Sequence, residues 1–330
     1  MTSVSVSLKE LKEGIPLPRL EQAFGPDSLG IIIVKDLPPE FHDLRLKVLQ
    51  SASKLANLPS EELRRLESPE STWLVGWSCG KEKFNDEPDT SKGSWYVNCS
   101  FHKDPKLEAP VLPKEFDQYK TYVTPNIWPA PNGDMVDFQL DLKKLINMII
   151  DVAGIVAENC DNYISNTYSD YEAGFLKSTV ENSTCSKARL LHYFPKTSTS
   201  PSKNEDDWCG EHLDHSCITG LTSALFIDES TNTVMPKSAD PEAGLYIKNR
   251  QNEVVKVNIP SDCLAFQTGS ALQEVSRNQF KAVPHYVKGT NLPSIARNTL
   301  AVFCQPNLDV MVNDKENFAQ FSDRTLKSNH

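Results

Sequence analysis

The stretch His212-Leu213-Asp214-His215-Ser216-Cys217-Ile218-Thr219-Gly220-Leu221 does most to decide the fold and chemistry of this chain. On an extended segment, side chains two residues apart point to the same side, so His212 and Asp214 can reach one ion. An imidazole and a carboxylate together suit Fe(II), Mn(II) or Zn(II). A His-x-Asp pair also arises by chance, so the assignment needs support from elsewhere in the chain.

A second histidine, His285, supplies that support from a short predicted strand far along the chain. Two imidazoles and one carboxylate form a face that leaves the other positions of a metal ion open. This arrangement is typical of Fe(II) oxygenases. A single histidine in a strand, taken alone, would more often be a structural residue.

Arg297 and Thr299 form another pair two residues apart on a predicted strand, shortly after His285. A guanidinium and a hydroxyl on one strand face can bind a carboxylate through charge-assisted hydrogen bonds. By itself the pair would be an ordinary surface arginine and its neighbour. The order along the chain, with His-x-Asp first, then His, then Arg-x-Thr, is what makes it informative.

The secondary-structure signals change character near residue 185. A buried strand is predicted at 28–34, a helix begins after Pro38-Pro39, and helical periodicity covers 134–163. Beyond residue 185, short β-branched and aromatic runs are separated by turn residues, as in a sandwich or barrel. The predicted strands are 188–194, 218–227, 244–248, 254–259, 263–268, 283–287 and 299–305. The chain therefore predicts an α+β fold.

Two segments are predicted as loops. Residues 76–134 are rich in Gly, Pro and Asp, and the polar run 196–207 has the composition of an exposed insertion. The first region carries or adjoins five large aromatic residues, which could either roof a binding site or pack the N-terminal region onto the rest of the protein. They are Trp73, Trp77, Trp95, Tyr96 and Trp128.

Composition excludes several classes of partner. The net charge is −10, from 34 basic and 44 acidic residues, so nucleic acid is not expected as a partner. The most apolar long segment, 145–157, is too short to span a bilayer. The eight cysteines show no Cys-x-x-Cys spacing, which argues against a zinc ribbon. Because no secretory signal is recognisable, we expect a cytoplasmic monomer that acts on a small molecule.

At this point the motifs can be compared with a known family. The stretch 212–221 matches its H-x-D-x-S-x-I-T-x-L strand, and 269–276 matches its G-x-x-L-Q-x-x-S stretch before the last histidine. Arg297-Asn298-Thr299 corresponds to Arg-x-Ser. Leu191-His192-Tyr193-Phe194-Pro195 is similar to the strand whose tyrosine touches the co-substrate, and Asn126-Ile127-Trp128-Pro129 to an N-x-W-P signature. The chain resembles the isopenicillin-N-synthase-like branch of the 2-oxoglutarate/Fe(II)-dependent oxygenases.

The resemblance implies a double-stranded β-helix, or jelly roll, with an N-terminal helical and loop-rich region at 1–184, the core at 185–312 and a tail at 313–330. It implies Fe(II) on His212, Asp214 and His285. It also implies a 2-oxoglutarate co-substrate held by Arg297, Thr299 and Tyr193, with O2 as oxidant and succinate and CO2 as products.

The sequence departs from the family pattern at three positions: Tyr286 replaces an arginine, Ser270 an aspartate, and Thr299 a serine. None of these removes a metal ligand. Three alternatives stay open: an Fe(II) oxidase that does not use 2-oxoglutarate, a zinc hydrolase with the same triad, and a non-catalytic binding module. The substrate, and the choice among hydroxylation, desaturation, demethylation and ring closure, are not encoded in these motifs.

Overall fold

The structure of the protein is a computed structural model. It describes residues 2–84, 87–196, 208–235, 240–290 and 292–328. The predicted loop insertion at 196–207 lies outside these residues except for its first position.

The strands occur throughout the described chain and are numbered in chain order. They are β1 (Val4–Ser7), β2 (Ile31–Lys35), β3 (Gly76–Cys79), β4 (Lys83–Phe84), β5 (Glu87–Pro88), β6 (Lys92–Asn98), β7 (Lys187–Tyr193), β8 (Cys209–His212), β9 (Ile218–Thr222), β10 (Leu225–Asp228), β11 (Thr233–Met235), β12 (Gly244–Lys248), β13 (Val254–Val257), β14 (Leu264–Thr268), β15 (His285–Lys288) and β16 (Ile295–Cys304).

The helices are concentrated before residue 185. They are α1 (Leu8–Glu13), α2 (Leu17–Phe24), α3 (Glu40–Ala56), α4 (Ser60–Arg65), α5 (Lys120–Val123), α6 (Phe138–Thr167), α7 (Phe175–Asn182), α8 (Ser270–Val275) and α9 (Phe318–Ser328), with short 3-10 turns between some of them. None of the helices in the described part of the chain is long and apolar enough to cross a membrane.

A ten-stranded sheet forms the larger layer. Its main path runs β1-β2-β14-β9-β16-β7-β6-β3, and the β10–β11 hairpin joins it beside β16. Neighbouring strands pair antiparallel except β1 and β2, which are parallel. Strands from both sides of residue 184 pair directly in this sheet, since β6 lies beside β7.

A four-stranded antiparallel sheet, in the order β13-β12-β15-β8, forms the smaller layer. Apolar side chains from both sheets pack between the two layers. Ile31 and Ile33 of β2 share one buried cluster with Ile247 of β12, whereas Ile32 and Val34 face the helical side of the large sheet. The uninterrupted apolar run in β2 therefore follows from burial on both faces.

Helix α6 packs on the outer face of the large sheet, next to β9, β14 and β16. Gly220 of β9 permits this close approach. A Cβ at that position would lie 2.3 Å from Cγ2 of Ile149 on α6, a distance that no side chain tolerates. The large sheet is thus held between a helical layer and the small sheet, and its inner face is free to line a site.

The α+β prediction is confirmed, and the predicted helix starts and most predicted strands correspond to observed elements. One prediction is wrong: residues 76–134 are not merely loops, because β3 and β6 come from this region and extend the large sheet. The glycine and proline signals mark the turns around these strands. β6 is stabilised by pairing with β7, and β3 by pairing with β6, which local composition does not reveal.

Candidate functional site

Two strands of the small sheet and the loop after one of them bring the three predicted metal ligands together. His212 ends β8 and lies directly opposite His285, the first residue of β15, with ring centroids 4.3 Å apart. Asp214 lies two residues beyond the end of β8, and its carbonyl accepts a hydrogen bond from the Ser270 amide at 2.7 Å. His212 and Asp214 therefore point to one site, although β8 ends at His212 and Asp214 lies in the loop beyond it.

The geometry of these three side chains fits a metal ion. Nε2 of His212 and Nε2 of His285 each lie 3.8 Å from the same Oδ1 of Asp214. One potential ligand atom from each residue lies within 4.8 Å of the others. Metal–ligand bonds are about 2 Å long, so these separations leave room for one ion between the three donors. Nitrogen, nitrogen and carboxylate oxygen on one face is a donor set suited to Fe(II).

Each ligand has a polar partner on the side that faces away from the other two. Thr219 on β9 donates to Oδ2 of Asp214 at 2.7 Å, which leaves Oδ1 facing the histidines. Nδ1 of His212 lies 2.8 Å from the carbonyl oxygen of Gly210, and Nδ1 of His285 lies 2.6 Å from the side-chain amide of Gln267. Partners of this kind set the tautomer of a ligating histidine.

The protonation states of His285 and Asp214 suit a metal, whereas that of His212 opposes one. Burial and the neighbouring His212 lower the pKa of His285 to about 4, so its ring is neutral near pH 7. Burial favours the neutral acid at Asp214, but His285 and His212 hold the pKa of its carboxyl below the usual range. Burial lowers the pKa of His212, whereas Cys209 and Asp214 raise it, to about 9. A proton therefore competes with the metal at His212.

The predicted carboxylate-binding residues lie on the large sheet. Arg297 and Thr299 are on β16, and Tyr193 on β7 is the strand partner of Arg297. The guanidinium carbon of Arg297 lies 5.1 Å from the Tyr193 ring centroid. Arg297 is only 6% exposed, yet its Nε and Nη1 have no hydrogen-bond partner in the described residues. A buried cation with unused donors is costly, and a carboxylate in front of it would remove that cost.

One cavity of about 610 Å3 between the two sheets joins both groups of residues. Its wall includes the three candidate metal ligands as well as Arg297, Thr299 and Tyr193. Cavities of several hundred cubic ångströms that combine an apolar wall with a few polar groups are typical of small-molecule sites. The six residues singled out in the sequence therefore line one common space.

Several aromatic residues considered in the sequence lie elsewhere. Trp95 is fully buried and packs with Trp128 and Phe138 on the α6 side of the sheet. The five aromatics considered as a roof are absent from the described cavity wall, and Trp77, Trp95 and Trp128 pack in the hydrophobic core instead. His215 stacks on Phe318 of α9, with ring centroids 6.1 Å apart, and faces away from the triad.

Sequence reasoning missed several residues around the cavity. Arg189 lines it and is held by Glu82 at 2.7 Å and Ser94 at 2.9 Å. Its position on β7, alternating with Leu191 and Tyr193, was a signal that could have identified it. No sequence signal identifies Gln267 on β14, because its contact with His285 arises only when the small sheet packs across from β14.

Comparison with solved structures places this fold among known ones. The chain is similar to a full-length Neurospora crassa protein crystallised with 2-oxoglutarate (alpha-KG) and thymine, with a TM-score of 0.70, 18% identity, and coverage of 99% of this chain and 97% of that one. It is also similar to a 2OG-Fe(II) oxygenase family protein from Caulobacter crescentus, with a TM-score of 0.69, 20% identity and complete coverage of both chains.

A rice dioxygenase for auxin oxidation is similar as well, with a TM-score of 0.64, 14% identity, and coverage of 99% and 96% of the two chains. No protein-family model and no curated protein sequence matches the chain. The structural similarity shows that the chain has the fold of the 2-oxoglutarate/Fe(II) oxygenases, which confirms the resemblance at the level of fold. The isopenicillin-N-synthase-like branch is compatible with these structures and stays a prediction.

Proposed function

We propose that the protein is a 2-oxoglutarate/Fe(II)-dependent dioxygenase that oxidises, and by default hydroxylates, a small organic molecule. One observation carries the proposal. A His-Asp-His face and a buried arginine with two unused donors line the same cavity from opposite sheets. A metal and a carboxylate are the partners that these two groups lack, and 2-oxoglutarate is a carboxylate ligand that can bind to both.

In this proposal the two sheets correspond to the two halves of a double-stranded β-helix. When bound, Fe(II) and 2-oxoglutarate supply the oxidising power, with O2 as oxidant and succinate and CO2 as products. The small sheet would hold the iron through His212, Asp214 and His285. The far carboxylate of 2-oxoglutarate would be bound on the large sheet by Arg297, with help from the hydroxyls of Thr299 and Tyr193.

The chain's own residues would contribute position and exclusion of water. His212, Asp214 and His285 would hold the ion from one side, and all three line the cavity in which the co-substrate would bind. Arg297 lies on the opposite wall and would fix the direction in which the co-substrate extends from the metal. Asp214 and His285 are each 6% exposed, whereas the side chain of His212 is 38% exposed, so bound co-substrate and substrate would complete the exclusion of water.

The substrate class follows from the cavity and is supported by the similar proteins. About 610 Å3 accommodates the co-substrate and a small organic molecule, not a polymer. Structures of the Neurospora crassa protein contain thymine or 5-formyluracil, and the rice protein is named for auxin oxidation. A cytoplasmic monomer that acts on a small molecule, with no nucleic-acid or membrane partner, remains part of the proposal.

The alternatives explain less of the site. An oxidase that does not use 2-oxoglutarate, a zinc hydrolase or a non-catalytic module would need a carboxylate on its own substrate or ligand to pair with Arg297. 2-Oxoglutarate supplies that carboxylate and can also bind the metal. All three proposed ligands are present and oriented by hydrogen bonds, whereas a binding module has no need of a metal-ready face.

The test measures turnover of the protein after it has been loaded with metal and co-substrate. The purified protein is loaded with Fe(II) and 2-oxoglutarate without oxygen, then exposed to O2 with fractions of a metabolite extract. Succinate released in a fraction-dependent manner, and absent from an Asp214→Ala variant, is the expected result. Oxidation of a compound without 2-oxoglutarate consumption would instead identify the oxidase. Failure of the protein to bind either Fe(II) or 2-oxoglutarate would reject the proposal.

A further inference from the structure

Gln267 on β14 is a buried polar residue to which the proposed reaction assigns no role. It is 0% exposed and pairs with Ile31 of β2 on one side and Thr219 of β9 on the other. Its inward neighbour Ile31 belongs to the apolar cluster between the sheets. A glutamine in such a layer is unfavourable unless its amide finds a partner.

That partner is His285. The two side chains meet across the gap between the sheets, with 2.6 Å between the Gln267 amide and Nδ1 of the histidine. Nε2 of the same ring faces Oδ1 of Asp214 at 3.8 Å. If Nε2 binds the metal, the neutral ring must carry its proton on Nδ1, which then acts only as a donor.

A donor at Nδ1 requires an acceptor from Gln267. The amide oxygen of Gln267 must therefore be the atom that lies 2.6 Å from Nδ1 of His285, where the nitrogen is now placed. The amide nitrogen then takes the other position, where Oε1 has no hydrogen-bond partner. The two ends of a side-chain amide are assigned from their surroundings, so this reversal involves no change in the shape of the site. The carbonyl oxygen of Val283, 3.2 Å from Nδ1, is a second and longer acceptor.

We propose that Gln267 is a positioning residue for the metal, because its amide oxygen accepts the Nδ1 proton of His285 and so directs Nε2 toward the ion. The inference rests on the metal-binding part of the proposed function. Gln267 and its strand partner Thr219 would then act as a pair on the large sheet, with Thr219 fixing Asp214 and Gln267 fixing His285. The large sheet would thus orient two of the three ligands that the small sheet and its loop provide.

The test compares two substitutions that keep the size of the Gln267 side chain. Each variant is titrated with Co(II) in competition with a chelator, and binding is measured from the visible absorption of the bound ion. Gln267→Met preserves the volume but removes the acceptor, so we expect metal affinity to fall by about 10- to 100-fold. Gln267→Glu keeps an acceptor, so we expect affinity at least equal to that of the wild type, with a shifted absorption band because a carboxylate partner makes the imidazole more basic.

Gln305 provides the matched control. It is also a buried glutamine, 1% exposed, with its nitrogen bonded to the carbonyl of Cys185 and its Oε1 unpartnered. Gln305→Met should leave Co(II) affinity and the absorption band unchanged, even if it costs stability.

The possible outcomes separate this inference from the proposed function. Wild-type protein that binds no Co(II) would refute both. Wild-type binding with an unchanged Gln267→Met variant would refute the positioning role alone. If Gln267→Met does not fold, Gln267→Glu decides the question, because a tenfold loss of affinity in a variant that keeps the acceptor would overturn the inference.

Discussion

Replacement of Arg297 by alanine tests the co-substrate assignment most directly. Arg297 is 6% exposed, and Nε and Nη1 of its guanidinium donate to nothing in the described residues. Loss of one partner of a buried, hydrogen-bonded charge pair costs about 2–5 kcal/mol. At about 1.4 kcal/mol for each factor of ten, the dissociation constant for 2-oxoglutarate should rise by roughly 30-fold to several thousand-fold.

The assay is anaerobic calorimetric titration of the Fe(II)-loaded protein with 2-oxoglutarate, supported by thermal unfolding. Ligand at 100 times the wild-type dissociation constant stabilises the protein by about 2.7 kcal/mol. A 30-fold weaker variant at the same concentration should retain only about 0.9 kcal/mol. Stabilisation is measured for each protein against its own metal-loaded form without co-substrate, because the mutation also removes the contact between Arg297 and the Tyr193 ring.

Two further variants sharpen the interpretation. Arg297→Lys keeps the charge but loses the planar fork, so its affinity should lie between those of the wild type and the alanine variant. Arg277→Ala removes an exposed arginine that pairs with Asp170 and should bind 2-oxoglutarate normally. Unchanged affinity in Arg297→Ala would refute the co-substrate assignment and favour an oxidase that does not use 2-oxoglutarate.

Three other predictions concern the metal ligands and stability. Asp214→Ala should abolish Fe(II) binding in calorimetry, whereas His215→Ala, whose ring stacks on α9, should retain it; equal binding by both variants would reject the ligand assignment. Thr219→Val removes the 2.7 Å hydrogen bond to the carboxylate and should weaken Fe(II) binding by about 10- to 100-fold; an unchanged affinity would show that this bond does not orient the ligand. Burial lowers the pKa of His192 to about 4, so the unfolded chain binds a proton there below about pH 6.5 while the folded chain does not. Stability should therefore fall by up to roughly 3 kcal/mol from pH 6.5 to 4, and His192→Gln should flatten that part of the urea-unfolding profile.

Much of the candidate site could be predicted from the sequence because its residues follow the two-residue period of extended chain. Arg297 and Thr299 are two apart on β16 and share the inner face, as predicted. His212 and Asp214 also converge, although the strand ends between them. Local periodicity, the order of the motifs along the chain and the resemblance to a known family together selected every residue proposed as a metal ligand.

Contacts between distant elements could not be predicted in this way. The sequence contains no sign that Gln267 lies across from His285, since that contact depends on the packing of one sheet against another. The same holds for β3 and β6 within 76–134, because β6 is stabilised by pairing with β7 and β3 by pairing with β6. The sequence thus set the short-range pattern of side chains. That Nε and Nη1 of Arg297 have no partner among the described residues became visible only in the tertiary structure. A hydrogen-bond donor is satisfied or left unpaired by groups brought to it from elsewhere in the chain.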